Sequence, residues 1–306
     1  MSKALQGLCQ SRLAALPEPV VTGGEGYEGI TDEAWALDVG TLQWRALPDL
    51  QTSRFAYECV SLPGGAVLCL GGVGESSVEA LEPGAAEWTP RPPLPAEHMY
   101  DFGAVACEDG TVLLLGGYRS VNGNTSRSAA VEQLDPATGE CTPLPPLSQP
   151  RTCPCAGLLP DGRVLLAGGV RDGEVLALAE MYDPATGVST RLSDMTTPRC
   201  DAASCWLPDG RFAVLGGHRG VDCLTSCEAY DPATNAWETL PDLCHAWRYC
   251  AAWVVGGQVV VAGGDGGGEY LDSVEVLDEG LREWRLLPLR LPRPLHRVGH
   301  CLLPSA

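Results

Sequence analysis

The chain has 306 residues, with 39 acidic and 20 basic side chains and a formal net charge of −19, which excludes a general binder of nucleic acid or of an anionic membrane surface. Its 37 glycines and 25 prolines exceed ordinary usage without reaching the level of disorder, and 45% apolar residues suffice for a core. With only three Phe and four Met, that core must be built from Val, Leu, Ala, Trp and Cys, a palette of strands.

From the amino terminus, residues 1–18 read as a short extension. They lack the continuous apolar stretch of a signal peptide, and no run in the chain reaches the length of a membrane span. The expectation is a cytoplasmic protein, with a nuclear location also compatible. Lys3 and Arg12, with no acid before Glu18, leave an organelle presequence as the lesser alternative. The 14 cysteines sit mostly in apolar runs such as Val67-Leu68-Cys69-Leu70, where a thiol serves as a small hydrophobe. No Cys-x-x-Cys occurs, so no metal and no cofactor is expected.

From Pro19 onward an apolar run ending in Gly-Gly recurs six times, at Gly23-Gly24, Gly71-Gly72, Gly116-Gly117, Gly168-Gly169, Gly216-Gly217 and Gly263-Gly264. Each pair is followed by a variable stretch and a strand-like run ending in an acid: Asp38, Glu82, Asp135, Asp183, Asp231 and Asp278. Six residues further stand Trp44, Trp88, Cys141, Ser189, Trp237 and Trp284. A fixed acid-to-Trp interval is what a hairpin of set length produces, and Asp231-Pro232-Ala233-Thr234-Asn235 spells its turn. A second turn, as in Pro160-Asp161-Gly162, precedes the apolar run. Each repeat therefore predicts four antiparallel strands, a to d: a before the Asp-Gly turn, b ending in Gly-Gly, c ending in the acid, d carrying the Trp.

Strand b, for example Arg163-Val164-Leu165-Leu166-Ala167, is apolar almost without alternation, so both faces must be covered. Sheets stacked face to face around an axis meet that demand. The predicted architecture is all-β, a single six-bladed propeller over 19–306. Its blades fall at about 19–50 plus 296–304, 53–95, 98–147, 150–195, 198–243 and 246–290. Arg297 to Pro304 aligns with strand a of the other repeats, so the carboxyl-terminal strand is expected to complete the first blade. The segment Arg12 to Leu16 is the competing candidate. Cys141 and Ser189, in place of Trp, are expected to leave the outer strands of the third and fourth blades least covered.

This combination of Gly-Gly, a strand ending in Tyr182-Asp183 or Tyr230-Asp231 and a Trp six residues later resembles the kelch-repeat family over nearly the whole chain. The resemblance implies a partner-binding propeller head, of the kind found in ubiquitin-ligase adaptors and other scaffolds, without a BTB or F-box region in the first 16 residues. Some kelch propellers are enzymes. A copper site needs convergent His and Tyr ligands, and the iron spacing Glu-x-x-x-Asp-x-x-x-His fails at Glu97, Asp101 and Val105.

The b-to-c loops and d-to-a connections share one face, and the b-to-c loops vary most in length, as binding loops do. The second residue after Gly-Gly is Arg119, Arg171 or Arg219 in three consecutive repeats, with Tyr118 and His218 beside two of them. Arg54, Arg151 and Arg199 stand at the entries to strands a, with Tyr100, Asp101, Asp201, Trp247, Arg248 and Arg297 near other strand starts. Arginine suits bidentate recognition of carboxylate or phosphate. The expected ligand set is thus Arg54, Tyr100, Asp101, Tyr118, Arg119, Arg171, Asp201, His218, Arg219, Trp247, Arg248 and Arg297, binding an acidic or phosphorylated peptide of a partner protein. No catalytic residue is assigned, and the propeller itself is expected to be monomeric. The alternative is an epimerase-like or hydrolytic enzyme with Asp101 and Asp201 as a carboxylate pair at the channel mouth.

Overall fold

Hairpin turns at regular spacing fold each repeat into a four-stranded antiparallel sheet. Six such sheets appear in the structure, a computed structural model that describes residues 16–95, 100–121 and 124–304. Strands b such as Val67–Gly72, Val112–Leu115 and Val164–Ala167 are buried along their whole length. Six apolar clusters cover them, one at each junction between neighbouring blades. The core is therefore distributed around the ring, and each blade depends on two neighbours.

Strands a of successive blades pack on one another in a closed cycle around the axis. The cycle closes because Gly299–Leu303 pairs with Glu18–Thr22, Val20 lying opposite Cys301 and Thr22 opposite Gly299. The carboxyl-terminal strand completes the first blade, as the alignment of the ends predicts. Residues 12–15 of the competing segment lie outside the described residues. No helix among the described residues is long and apolar enough to cross a membrane.

The glycine pairs join one blade to the next. At Gly168, with φ of 68°, a Cβ would stand 2.3 Å from the Arg199 carbonyl, and the Gly169 amide donates to that same oxygen at 2.9 Å. Gly116 and Gly117 repeat the arrangement against the Arg151 carbonyl, at 2.5 and 2.9 Å. Only a residue without Cβ fits so near another backbone.

The Trp on strand d makes a second joint. The indole N–H groups of Trp88, Trp237 and Trp284 donate to the carbonyls of Pro48, Ser193 and Pro241, at 2.8, 2.8 and 3.1 Å, in the connection from the preceding blade. Where Ser189 replaces Trp, Tyr182 opposite it in register sends its hydroxyl to the Pro145 carbonyl at 2.8 Å. The fourth blade thus recovers the joint by another residue, contrary to the expectation from Ser189 alone.

Candidate functional site

Two residues before each strand a, the backbone turns through the left-handed region at Ala56, Asp101, Cys153, Asp201, Tyr249 and Arg297, with φ between 52° and 58°. Residues with a Cβ enter that region at a cost of about 1 kcal/mol or more each. Its occurrence once in every blade makes it a property of the ring. Amides in this collar reach carbonyls of the neighbouring blade: Cys153 to Asp101 and Tyr249 to Asp201 at 2.8 Å, Ala56 to Arg297 at 3.3 Å. The six side chains, with Tyr57, Glu58 and His300, line an axial pocket of about 120 Å³.

The collar's charges are unequal. Burial, reinforced by the neighbouring Asp201 carboxylate, pushes Asp101 up to about 6. Burial works in the same direction on Asp201, but hydrogen bonds from His218 and Cys153 outweigh it and hold Asp201 below the ordinary carboxylate range. Burial also pushes Glu58 up to about 8. Arg297 donates to the Tyr249 hydroxyl at 2.6 Å, lies 4.1 Å from that ring's centre and stands 3.9 Å from Asp101.

Outside the collar, the residue preceding each left-handed position meets the first residue after the Gly-Gly of its own blade. Backbone bonds join His296 with Glu25, Tyr100 with Tyr118, Thr152 with Val170, Cys200 with His218 and Arg248 with Asp265. Several of these pairs also match chemically. The Tyr100 and Tyr118 rings lie 4.7 Å apart, and Arg248 reaches Asp265 at 2.7 and 3.1 Å. His218 bonds Asp201 at 2.7 Å, and that bond raises its pKa against the opposing effect of burial.

Short hairpins in the b-to-c connections build the rim. Arg119, Arg171 and Arg219 sit on their first strands, opposite Ser126, Glu174 and Asp222. Arg119 is paired with Glu132, Arg171 with Glu174 at 3.2 Å and with Gln149, and Arg219 is exposed. The same loops carry exposed Tyr27, Ile30, Val73 and Val221, the last 90% accessible.

Two expected ligand residues are elsewhere. Arg54 is buried and bonded to Glu79 and to the Gly71 and Ser77 carbonyls, so it meets no partner protein. Trp247 is fully buried in the cluster between the fifth and sixth blades. Both occupy the position two before the left-handed residue, which faces inward between sheets. Arg151 and Arg199 share it, paired with Glu180 and Glu228. These buried glutamates also accept backbone amides of the incoming connection, Thr196 and Thr197 bonding Glu228 at 2.7 and 3.0 Å. Sequence reasoning passed over them, although Glu79, Glu132, Glu180, Glu228 and Glu275 all stand three residues before the repeat's acid.

The ring of blades, the left-handed collar and the loop-built rim define a six-bladed β-propeller. A family model described as Kelch motif matches residues 209–243 and 246–288, the fifth and sixth repeats. The chain is a six-bladed β-propeller with kelch motifs in its fifth and sixth blades. No curated protein matches it.

Proposed function

We propose that the protein is a non-catalytic interaction module whose rim face receives an acidic or phosphorylated segment of a partner protein, as the recognition head of a scaffold or ubiquitin-ligase assembly. The observation that carries this reading is the composition of the rim: exposed Tyr27, Ile30, Val73 and Val221 stand on the same set of b-to-c loops as exposed Arg219 and partly exposed Arg171. Apolar tips gathered on one face mark a contact surface. The Arg171 pair with Glu174, whose side chain is 68% exposed, is a surface pair contributing at most about 1 kcal/mol. A ligand carboxylate or phosphate in a less hydrated setting outcompetes it. The test is a panel of acidic, phosphorylated and neutral peptides titrated against the protein by fluorescence anisotropy. Salt-sensitive binding of the anionic members supports the reading, and equal binding of neutral members overturns it.

A second reading has one observation in its favour. Asp101 and Asp201 titrate on opposite sides of the ordinary carboxylate range, as an acid and a base at one site do. The pocket they share, about 120 Å³, is smaller than the roughly 300 Å³ at which small-molecule sites begin. That favours the binding module over a sugar-processing enzyme.

A further inference from the structure

We propose that Cys200, Asp201 and His218 form a binding site for a zinc-class divalent cation at the channel mouth. The Cys200 sulfur lies 3.2 Å from His218 Nε2, and Nε2 lies 2.7 Å from Asp201 Oδ2. Among the described residues, this group has its donor atoms all within 4.8 Å of one another. The site follows from backbone placement: Cys200 and His218 are a directly bonded antiparallel pair, with amide-to-carbonyl distances of 3.2 and 3.0 Å. Asp201 is turned toward them from the left-handed collar, with φ of 53°.

The imidazole is held as a ligand requires. Nδ1 lies 2.7 Å from the Gly220 carbonyl, which can only accept, so Nδ1 keeps its proton; without metal Nε2 donates to Asp201, and loss of that proton gives its lone pair to the ion. A backbone carbonyl on the second nitrogen is the usual outer support of a metal-bound histidine. One sulfur, one nitrogen and one carboxylate oxygen make a donor set of zinc character, and thiolate plus carboxylate neutralise a 2+ ion. Tetrahedral zinc bonds place N and O ligands about 3.3 Å apart and S and N about 3.6 Å apart. The three donors therefore need to spread by about half an ångström, which the two-residue hairpin tip at Gly220 and Val221 permits. Binding releases the Cys200 thiol proton and the Nε2 proton to solvent. The fourth position falls to water or to Cys153, whose thiol bonds the Asp201 carboxylate.

The test uses the full chain, stripped with chelator and titrated with Co²⁺ and Zn²⁺ alone. One equivalent of Co²⁺ is expected to give a thiolate-to-cobalt charge-transfer band and the visible absorption of a tetrahedral ion, both lost on adding Zn²⁺. Cys200→Ser should lose the charge-transfer band, and His218→Gln, a rim change that leaves the sheets intact, should weaken Zn²⁺ binding at least about tenfold. Cys223→Ser, on the same hairpin, should match wild type, and circular dichroism checks that each variant is folded. Absence of the cobalt spectrum, or the same spectrum in Cys200→Ser as in Cys223→Ser, overturns the proposal.

Discussion

Arg151 donates through Nη2 to Glu180 Oε1 at 2.6 Å with both side chains out of solvent, and its Nη1 holds the Gly168 carbonyl at 3.2 Å. One guanidinium thus joins three parts of the fourth blade: the entry to strand a, the end of strand b and the middle of strand c. Glu180 in turn accepts the Ser148 amide at 3.1 Å.

Breaking this pair leaves an uncompensated buried charge, which costs about 3–5 kcal/mol. Arg151→Ala, and Glu228→Gln in the equivalent Arg199 pair, are expected to lower the unfolding free energy measured in urea by that order. Arg171→Ala, which removes only a surface pair, should leave it within about 0.5 kcal/mol. Equal midpoints for the Arg151 and Arg171 variants would contradict the structural role of the buried pairs.

Closure by the last strand is equally open to test. A chain ending at Leu295 lacks the partner of Glu18–Thr22 and exposes a strand edge and two blade flanks. Aggregation or loss of the cooperative transition is expected. A soluble chain melting as the full-length protein does would show that the first blade needs no carboxyl-terminal strand.

Asp101 gives stability a pH dependence. Its carboxyl is raised to about 6 in the fold, from 3.8, so the folded state holds that proton more tightly than the unfolded chain. Its contribution is greatest below about pH 4 and falls as pH rises to about 6, by at most about 3 kcal/mol. Asp101→Asn, which tolerates the left-handed backbone, should therefore be more stable than wild type at pH 8 and no more stable at pH 3.5. Urea unfolding in chelator at the two pH values measures this. An equal difference at both would rule out the carboxyl as its source.

The outer joints predict a local pattern. Tyr182→Phe removes the bond to the Pro145 carbonyl and should cost about 1 kcal/mol. Hydrogen exchange should be fastest at strand d around Cys141, where no indole or phenol is supplied, and slower around Ser189. Equally fast exchange at both would show that Tyr182 does not replace the missing Trp.

The fold was legible because a propeller repeats its demands: each blade needs glycines where it meets the next and a turn at fixed distance, and both recur in the chain. Asp101, Asp201 and Arg297 were legible as mouth residues from their place before strand a. Arg54 and Trp247 were misplaced because a shift of two residues along an irregular segment changes a side chain from axis-facing to buried. The glutamates of strand c were hidden in plain alternation, looking like ordinary polar residues of a strand. The Cys200–His218 and Arg248–Asp265 pairings follow a register that every blade repeats, but it joins two irregular segments and shows only once the position of the left-handed residue is known.

The rim as the binding face is tested most directly by comparing two arginines of similar exposure on opposite ends of the propeller. Arg171, on the rim, and Arg163, beside Asp161 after the Asp-Gly turn, have side chains 37% and 48% exposed. With the tightest anionic peptide from the panel, calorimetry should show Arg171→Ala weakening binding more than tenfold. That corresponds to the loss of a charge-assisted bond of about 2 kcal/mol. Arg171→Lys should recover only part of it, since the charge returns without the planar fork. Arg163→Ala should bind as wild type. Equal affinities for the two alanine variants would contradict the assignment of this face.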